Sequence, residues 1–146
     1  MKLFKNSRIA AFTLLEFLIA VGLIIILLAI AIPSYIHYMK KSHYSEVVQI
    51  GNTYKLAVTA CIEKRVTKIS DCDAGTYGVP HAIKSGTGVG QVNSVTVVKG
   101  VITIIPKATN GIAATDTYIL TPRRGSNGIV WRISGGACKS RLVLGC

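Results

Sequence analysis

Acidic residues are scarce in this chain: six Asp and Glu stand against seventeen Lys and Arg in 146 residues, for a formal net charge of +11. Beyond residue 60 the only acids are Glu63, Asp71, Asp73 and Asp116, and serine and histidine are thinly spread. No nucleophile, base and orienting group can be assembled from these residues, so the sequence reads as a non-enzyme. No C-x-x-C pair occurs, and His37, His43 and His81 are scattered, which argues against a zinc site or another metal or cofactor. The glycines of Gly86-Thr87-Gly88-Val89-Gly90 lack the following Lys-Ser/Thr of a phosphate loop, and no strand and helix flank them, so they read as flexible loop. No internal repeat and no low-complexity tract is present. The length allows one modest domain beyond an N-terminal stem.

What the chain does have is an apolar run, FTLLEFLIAVGLIIILLAIAI, at residues 12–32, with Glu16 as its single charge. As a helix, these 21 residues reach about 32 Å, enough to cross a hydrocarbon core of about 30 Å. Twelve of residues 17–32 are Leu, Ile, Val or Phe. Their insertion free energy of about −5 kcal/mol exceeds the cost of about +3 for one acid. An ionisable group in such a span is a functional candidate, set against the plainer reading of a carboxylate reaching out to the headgroup edge. Upstream, residues 1–11 carry Lys2, Lys5 and Arg8 and no acid, the basic region of an export signal. A small pair, Ala10-Ala11, precedes the apolar run, so cleavage there would leave the helix on the mature protein. The mature charge would fall from +11 to about +8. The basic leader favours a cytoplasmic N-terminus and a C-terminal part outside.

Ala11-Phe12-Thr13-Leu14-Leu15-Glu16, with Pro33 at the matching distance from Phe12, resembles the prepilin processing motif of type IV pilins. The family usually has Gly before the cut; here Ala11 takes that place. The resemblance implies cleavage between Ala11 and Phe12 by a prepilin peptidase that also methylates the new Phe12 amine. It further implies that Glu16 neutralises the N-terminal amine of a neighbouring subunit and so sets the register of assembly.

Gly22 and Pro33 are the expected weak points of the stem: proline removes the hydrogen bond to Ala29 and predicts a kink near residues 29–33. The resemblance adds an unwinding of the helix between such positions, with a static bend as the alternative. Helix-compatible sequence continues to about Val66. Val47, Ile50, Tyr54, Ala57 or Val58, and Cys61 recur at three- and four-residue steps as one apolar stripe. Lys41, Glu46, Asn52, Lys55 and Thr59 take the opposite face. Tyr35, Tyr38 and Tyr44 are expected at a membrane-interface belt or between helices.

Residues 67–93, rich in Gly, Ser, Asp and Pro, read as a long surface loop tied down at Cys72. Strands are expected at 94–99, 101–106, 117–121 and 129–134. A tight turn falls at Lys99-Gly100, and Pro122 and residues 125–128 separate the last two. The fold class is thus α+β: a long N-terminal helix with a four-stranded antiparallel sheet packed on its second half, the pilin fold by resemblance. The organisation is leader 1–11, transmembrane or polymerisation helix 12–33, amphipathic continuation 34–66, loop 67–93, and sheet with C-terminal disulfide loop 94–146.

Four cysteines suit an oxidising compartment and allow three pairings. The local one joins Cys61 to Cys72 and Cys138 to Cys146, closing short loops worth about 2.5–3 kcal/mol each. By resemblance, residues 138–146 are the C-terminal disulfide loop of type IV pilins. Arg123, Arg124, Arg132, Lys139 and Arg141 crowd the last quarter. They read either as a patch for anionic polymers, DNA included, or as a solvated basic rim.

The resemblance implies a pilus subunit held in the inner membrane as a precursor, its C-terminal part in the periplasm, and then polymerised into an extracellular filament. Its partners would be further copies of itself, the prepilin peptidase, an inner-membrane assembly platform driven by cytoplasmic ATPases, and minor pilins, with DNA or host surfaces at the filament. The roles implied are adhesion, twitching motility and DNA uptake. Two alternatives remain: a type II secretion pseudopilin, which shares the stem but typically lacks the terminal cysteine loop, and a membrane-anchored binding protein that never polymerises.

Overall fold

A computed structural model describes residues 12–64 and 68–146. The leader with Lys2, Lys5, Arg8 and Ala11, and the helix end expected at Val66, lie outside the described residues. The chain divides into two compact units, one up to His37 and one from Tyr38 to Cys146.

Helix α1, Leu14–Lys64, runs through both and continues without a break through Gly22 and Pro33. In the first unit its apolar side chains are exposed almost throughout; Ile30, for example, is 73% accessible. It is the one helix among the described residues long and apolar enough to cross a membrane. Burying a Leu, Ile or Phe side chain is worth about 1.5–3 kcal/mol, so a surface of this kind demands a second apolar phase.

In the second unit four strands, β1 (Val92–Val98), β2 (Val101–Pro106), β3 (Tyr118–Gly125) and β4 (Gly128–Ser134), pair antiparallel in sequence order. A short helix α2, Gly136–Lys139, follows. The core joins Tyr44, Val47, Tyr54, Val58 and Cys61 of α1 to Val95, Val97, Ile102, Ile104, Tyr118 and Leu120 of the sheet. With the buried Gly51 between Val47 and Tyr54, the α1 positions step by three and four, as an amphipathic helix requires. Gly51 is buried in this stripe while Ile50 stays partly exposed, because a Cβ at Gly51 would stand 2.7 Å from the Tyr118 ring. The gap between turns of the helix is therefore filled by tyrosine from β3.

Several expectations are corrected. Tyr44 does not sit at an interface belt; it is fully buried in the core, and its hydroxyl donates to the Asp116 carbonyl at 2.7 Å. Lys55 and Thr59 do not face bulk solvent alone. Thr59 Oγ1 accepts the Trp131 indole N–H at 3.3 Å, and the Lys55 ammonium lies 5.9 Å from that ring's centre. The 67–93 segment is more than a surface loop. Cys72 and Val79 are buried, Ile83 bridges to Val95 at the β1 edge, and Tyr54 donates to the His81 carbonyl at 2.7 Å. Its exposed backbone finds partners that periodicity does not announce.

Strand β1 starts at Val92, two residues earlier than expected, because the pairing shifts register between Val92 and Ser94. Such a bulge breaks the two-residue alternation by which a strand is recognised. Strand β3 runs through Pro122 to Gly125, where a break was expected. The β2–β3 pairing stops at Leu120, so Pro122 has a sheet neighbour on one side only, the position in which a strand tolerates proline. The turn at Lys99-Gly100 forms as expected, with φ of 52° and 75°, the left-handed pair that a two-residue hairpin needs.

Candidate functional site

The stem begins with a cap. The Thr13 hydroxyl oxygen accepts the Glu16 backbone N–H at 3.2 Å, the forward half of a capping box. The signal for this was present in the sequence as Thr-x-x-Glu ahead of an apolar run. Glu16 itself is exposed in the first turn of α1, where a carboxylate also complements the helix dipole. Phe12, at the expected new terminus, is likewise exposed.

A second constellation gathers on Asp116, which no sequence pattern marked out. Its carboxylate faces Lys40 Nζ at 3.1 Å, accepts the Ala113 backbone N–H at 2.9 Å, and accepts the Ser140 hydroxyl in a short bond. With Tyr44 on its carbonyl, this one residue fastens α1 and the segment before β3 to the C-terminal loop. Burial pushes the Asp116 carboxyl up. The hydrogen bonds from Ser140, Ala113 and Lys40, with the Lys40 charge, outweigh it and hold the group below its usual 3.8. Burial first, then the Asp116 charge, pushes the Tyr44 phenol up.

Folding therefore favours the ionised Asp116. Its contribution is complete above about 3.8 and is lost as pH falls below that through the lowered folded value. Thermal unfolding followed against pH should show this acid limb. Asp116→Asn should flatten it and, by stranding Lys40, cost about 1.5–3 kcal/mol at neutral pH. An unchanged acid limb would assign the loss to other carboxylates.

The cysteines pair locally, Cys61 with Cys72 and Cys138 with Cys146. Gly136 opens the C-terminal loop where a Cβ would lie 1.8 Å from the Thr115 carbonyl oxygen, so the loop's base rests directly on the backbone before β3. Lys139, Arg141 and Leu144 project from this loop.

The five basic residues do not form one row. Register puts Arg123 and Arg132 on one face of the β3–β4 hairpin at diagonal positions, with Thr121 and Val130. Arg124 is on the other face, lining a hollow with Ile62, Glu63 and Ile129. Lys139 and Arg141 belong to the C-terminal loop. Among the described residues no three His, Cys, Asp or Glu side chains gather as a metal site.

No family model matches the chain. It is 33% identical over 112 residues to prepilin peptidase-dependent protein D of Escherichia coli (strain K12), covering 76% of this chain and 70% of that protein. It is 39% identical over 73 residues to the type IV pilus subunit protein TapA of Aeromonas hydrophila, covering 50% of this chain and 51% of TapA. The solution NMR structure of the major type IV pilin PpdD from enterohemorrhagic E. coli matches with a TM-score of 0.52 at 24% identity. That match covers 67% of this chain and 70% of the pilin, and it speaks for the fold.

Proposed function

Since the chain belongs to the type IV pilin and pseudopilin family, we propose that it is a structural subunit of a type IV pilus, polymerised through the first half of α1. The observation that carries this is the bare apolar surface of that half, with one carboxylate in its first turn. In our reading the chain is made as an inner-membrane precursor and cut between Ala11 and Phe12. The methylated Phe12 amine of one copy then meets Glu16 of another. Gly22 and Pro33 mark where the stem bends or unwinds. Adhesion, twitching motility and DNA uptake are functions of the filament and not of any catalytic group on the subunit. The peptidase, the assembly platform and minor pilins are its working partners.

The Cys138–Cys146 loop favours the pilus over a type II secretion pseudopilin. The solvated-rim reading of the basic residues is favoured by their division between two sheet faces and the loop. Mass spectrometry of filaments sheared from cells tests the proposal. A chain starting at methylated Phe12 with two intact disulfides is expected. A chain that keeps residues 1–11 would leave only a membrane anchor, and a processed chain absent from filaments would favour the pseudopilin.

A further inference from the structure

Two Asn-Gly-Ile triplets stand in the chain, Asn110-Gly111-Ile112 and Asn127-Gly128-Ile129. Both asparagines are exposed, and a Cβ at either glycine would meet nothing within 4 Å. The fold treats them differently. Gly128 is the first residue of β4 and pairs with Gly125 where the β3–β4 hairpin closes. Asn110 and Gly111 belong to no strand. They are the central pair of a turn between β2 and β3, with φ of 53° and 77°, closed by the Ile112 N–H on the Thr109 carbonyl at 2.9 Å. That bond spans the Gly111 N–H and leaves it out. No side-chain hydrogen bond holds the Asn110 amide among the described residues. Asn93, by contrast, accepts the Gly86 N–H at 2.9 Å and donates to the Ser85 hydroxyl at 3.2 Å.

We propose that Asn110-Gly111 is a site of spontaneous covalent modification, at which the asparagine converts in water to aspartate or isoaspartate. The Gly111 backbone nitrogen attacks the Asn110 side-chain carbonyl carbon in an intramolecular step. The N–Cγ bond forms as the Cγ–Nδ2 bond breaks, and ammonia leaves with the Gly111 amide proton. Water then opens the succinimide ring at either carbonyl, and nothing is oxidised or reduced. Glycine presents no Cβ to the closing ring, and its backbone reaches geometries closed to other residues. Opening one way restores the chain with a new carboxylate. Opening the other way routes the backbone through the side-chain carbon and lengthens it by one atom. The turn has fixed ends: Ile112 is buried, and the Thr109 hydroxyl donates to the Gln91 side chain at 2.9 Å. The longer product is therefore expected to open the turn, and either product lowers the net charge of +11 by one.

The test incubates the full chain in detergent in mildly alkaline buffer and follows its tryptic peptides by mass spectrometry. Cleavage after Lys107, Arg123, Arg124 and Arg132 puts Asn110 in peptide 108–123 and Asn127 in peptide 125–132. Reaching the attack geometry at Gly128 costs a ladder hydrogen bond, so conversion at Asn110 should run about two- to tenfold faster. Isoaspartyl methyltransferase should label peptide 108–123 first. In denaturant the triplets are alike, and the two rates should converge. Asn110→Gly, which suits the left-handed backbone, should abolish conversion in peptide 108–123 and leave peptide 125–132 as before. Equal rates in the folded chain, or a lead for Asn127, would overturn the proposal. So would a preference for Asn110 that persists undiminished in denaturant, since it would belong to the flanking residues and not to the fold. A chain that keeps both amides sinks it outright.

Discussion

A Glu16→Ala chain is expected to enter the membrane and yield no filaments. Alanine is apolar and removes the one costly group in the span, so insertion improves if anything. In a packed helical assembly, the Phe12 ammonium would lose its counter-charge, and stranding one member of a buried pair costs about 3–5 kcal/mol at every subunit. The structure adds a control that the sequence motif does not. Because Thr13 accepts the Glu16 N–H, part of any loss could reflect a poorly started helix. Thr13→Ala removes that cap at a cost of about 1 kcal/mol and leaves the carboxylate in place. Glu16→Gln keeps the shape and removes the charge. Filaments should therefore persist, at reduced yield, in Thr13→Ala and vanish in both Glu16 variants. Sheared-filament yield, normalised to membrane-bound subunit, is the measurement. Loss in Thr13→Ala as complete as in Glu16→Ala would transfer the role from charge pairing to helix initiation.

Cys61→Ala/Cys72→Ala should be the most destabilising change to the C-terminal unit. The two residues are 11 apart and both fully buried, and their bond ties the last turns of α1 to the 3-10 turn at Ile69–Asp71. Closing a loop of that length contributes about 3 kcal/mol. Two sulfurs are also withdrawn from a core that holds Cys61 beside Val58 and Ile62. For a domain of about 100 residues a loss of 3 kcal/mol lowers the melting temperature by about 12–24 °C. That is a large share of a typical stability of about 5–15 kcal/mol. Cys138→Ala/Cys146→Ala opens a loop of similar size, but Cys146 is exposed. The loop also keeps its Ser140 bond to Asp116 and the Leu142 N–H bond to the Ala137 carbonyl. Its melting temperature should fall less. Calorimetry of the full chain in detergent would rank the two, and a reversed order would mean that the terminal loop and not the helix end holds the fold.

The sequence by itself determined the elements whose signal is local. An apolar run of 21 residues is long enough, as a helix, to cross a membrane. The three- and four-residue spacing of Val47, Ile50, Tyr54, Ala57 or Val58, and Cys61 dictates a helix with one buried face, although folding buries Gly51 in place of Ile50 and selects Val58 over Ala57. The Lys-Gly pair at 99–100 fixes a tight hairpin. The motif from Ala11 to Glu16 was readable for the same reason, since it is contiguous. Tertiary structure alone decided what depends on distant partners. Pro122 could extend β3 only because β2 had already left its side. The bulge after Val92 exists only in relation to β2. Tyr44 moved from a surface role to the core because Asp116, 72 residues away, offered its carbonyl. Asp116 became the fastening point of the C-terminal loop because folding brought Lys40, Ala113 and Ser140 to one carboxylate. Periodicity records which way a side chain faces; it carries no record of what will be standing there.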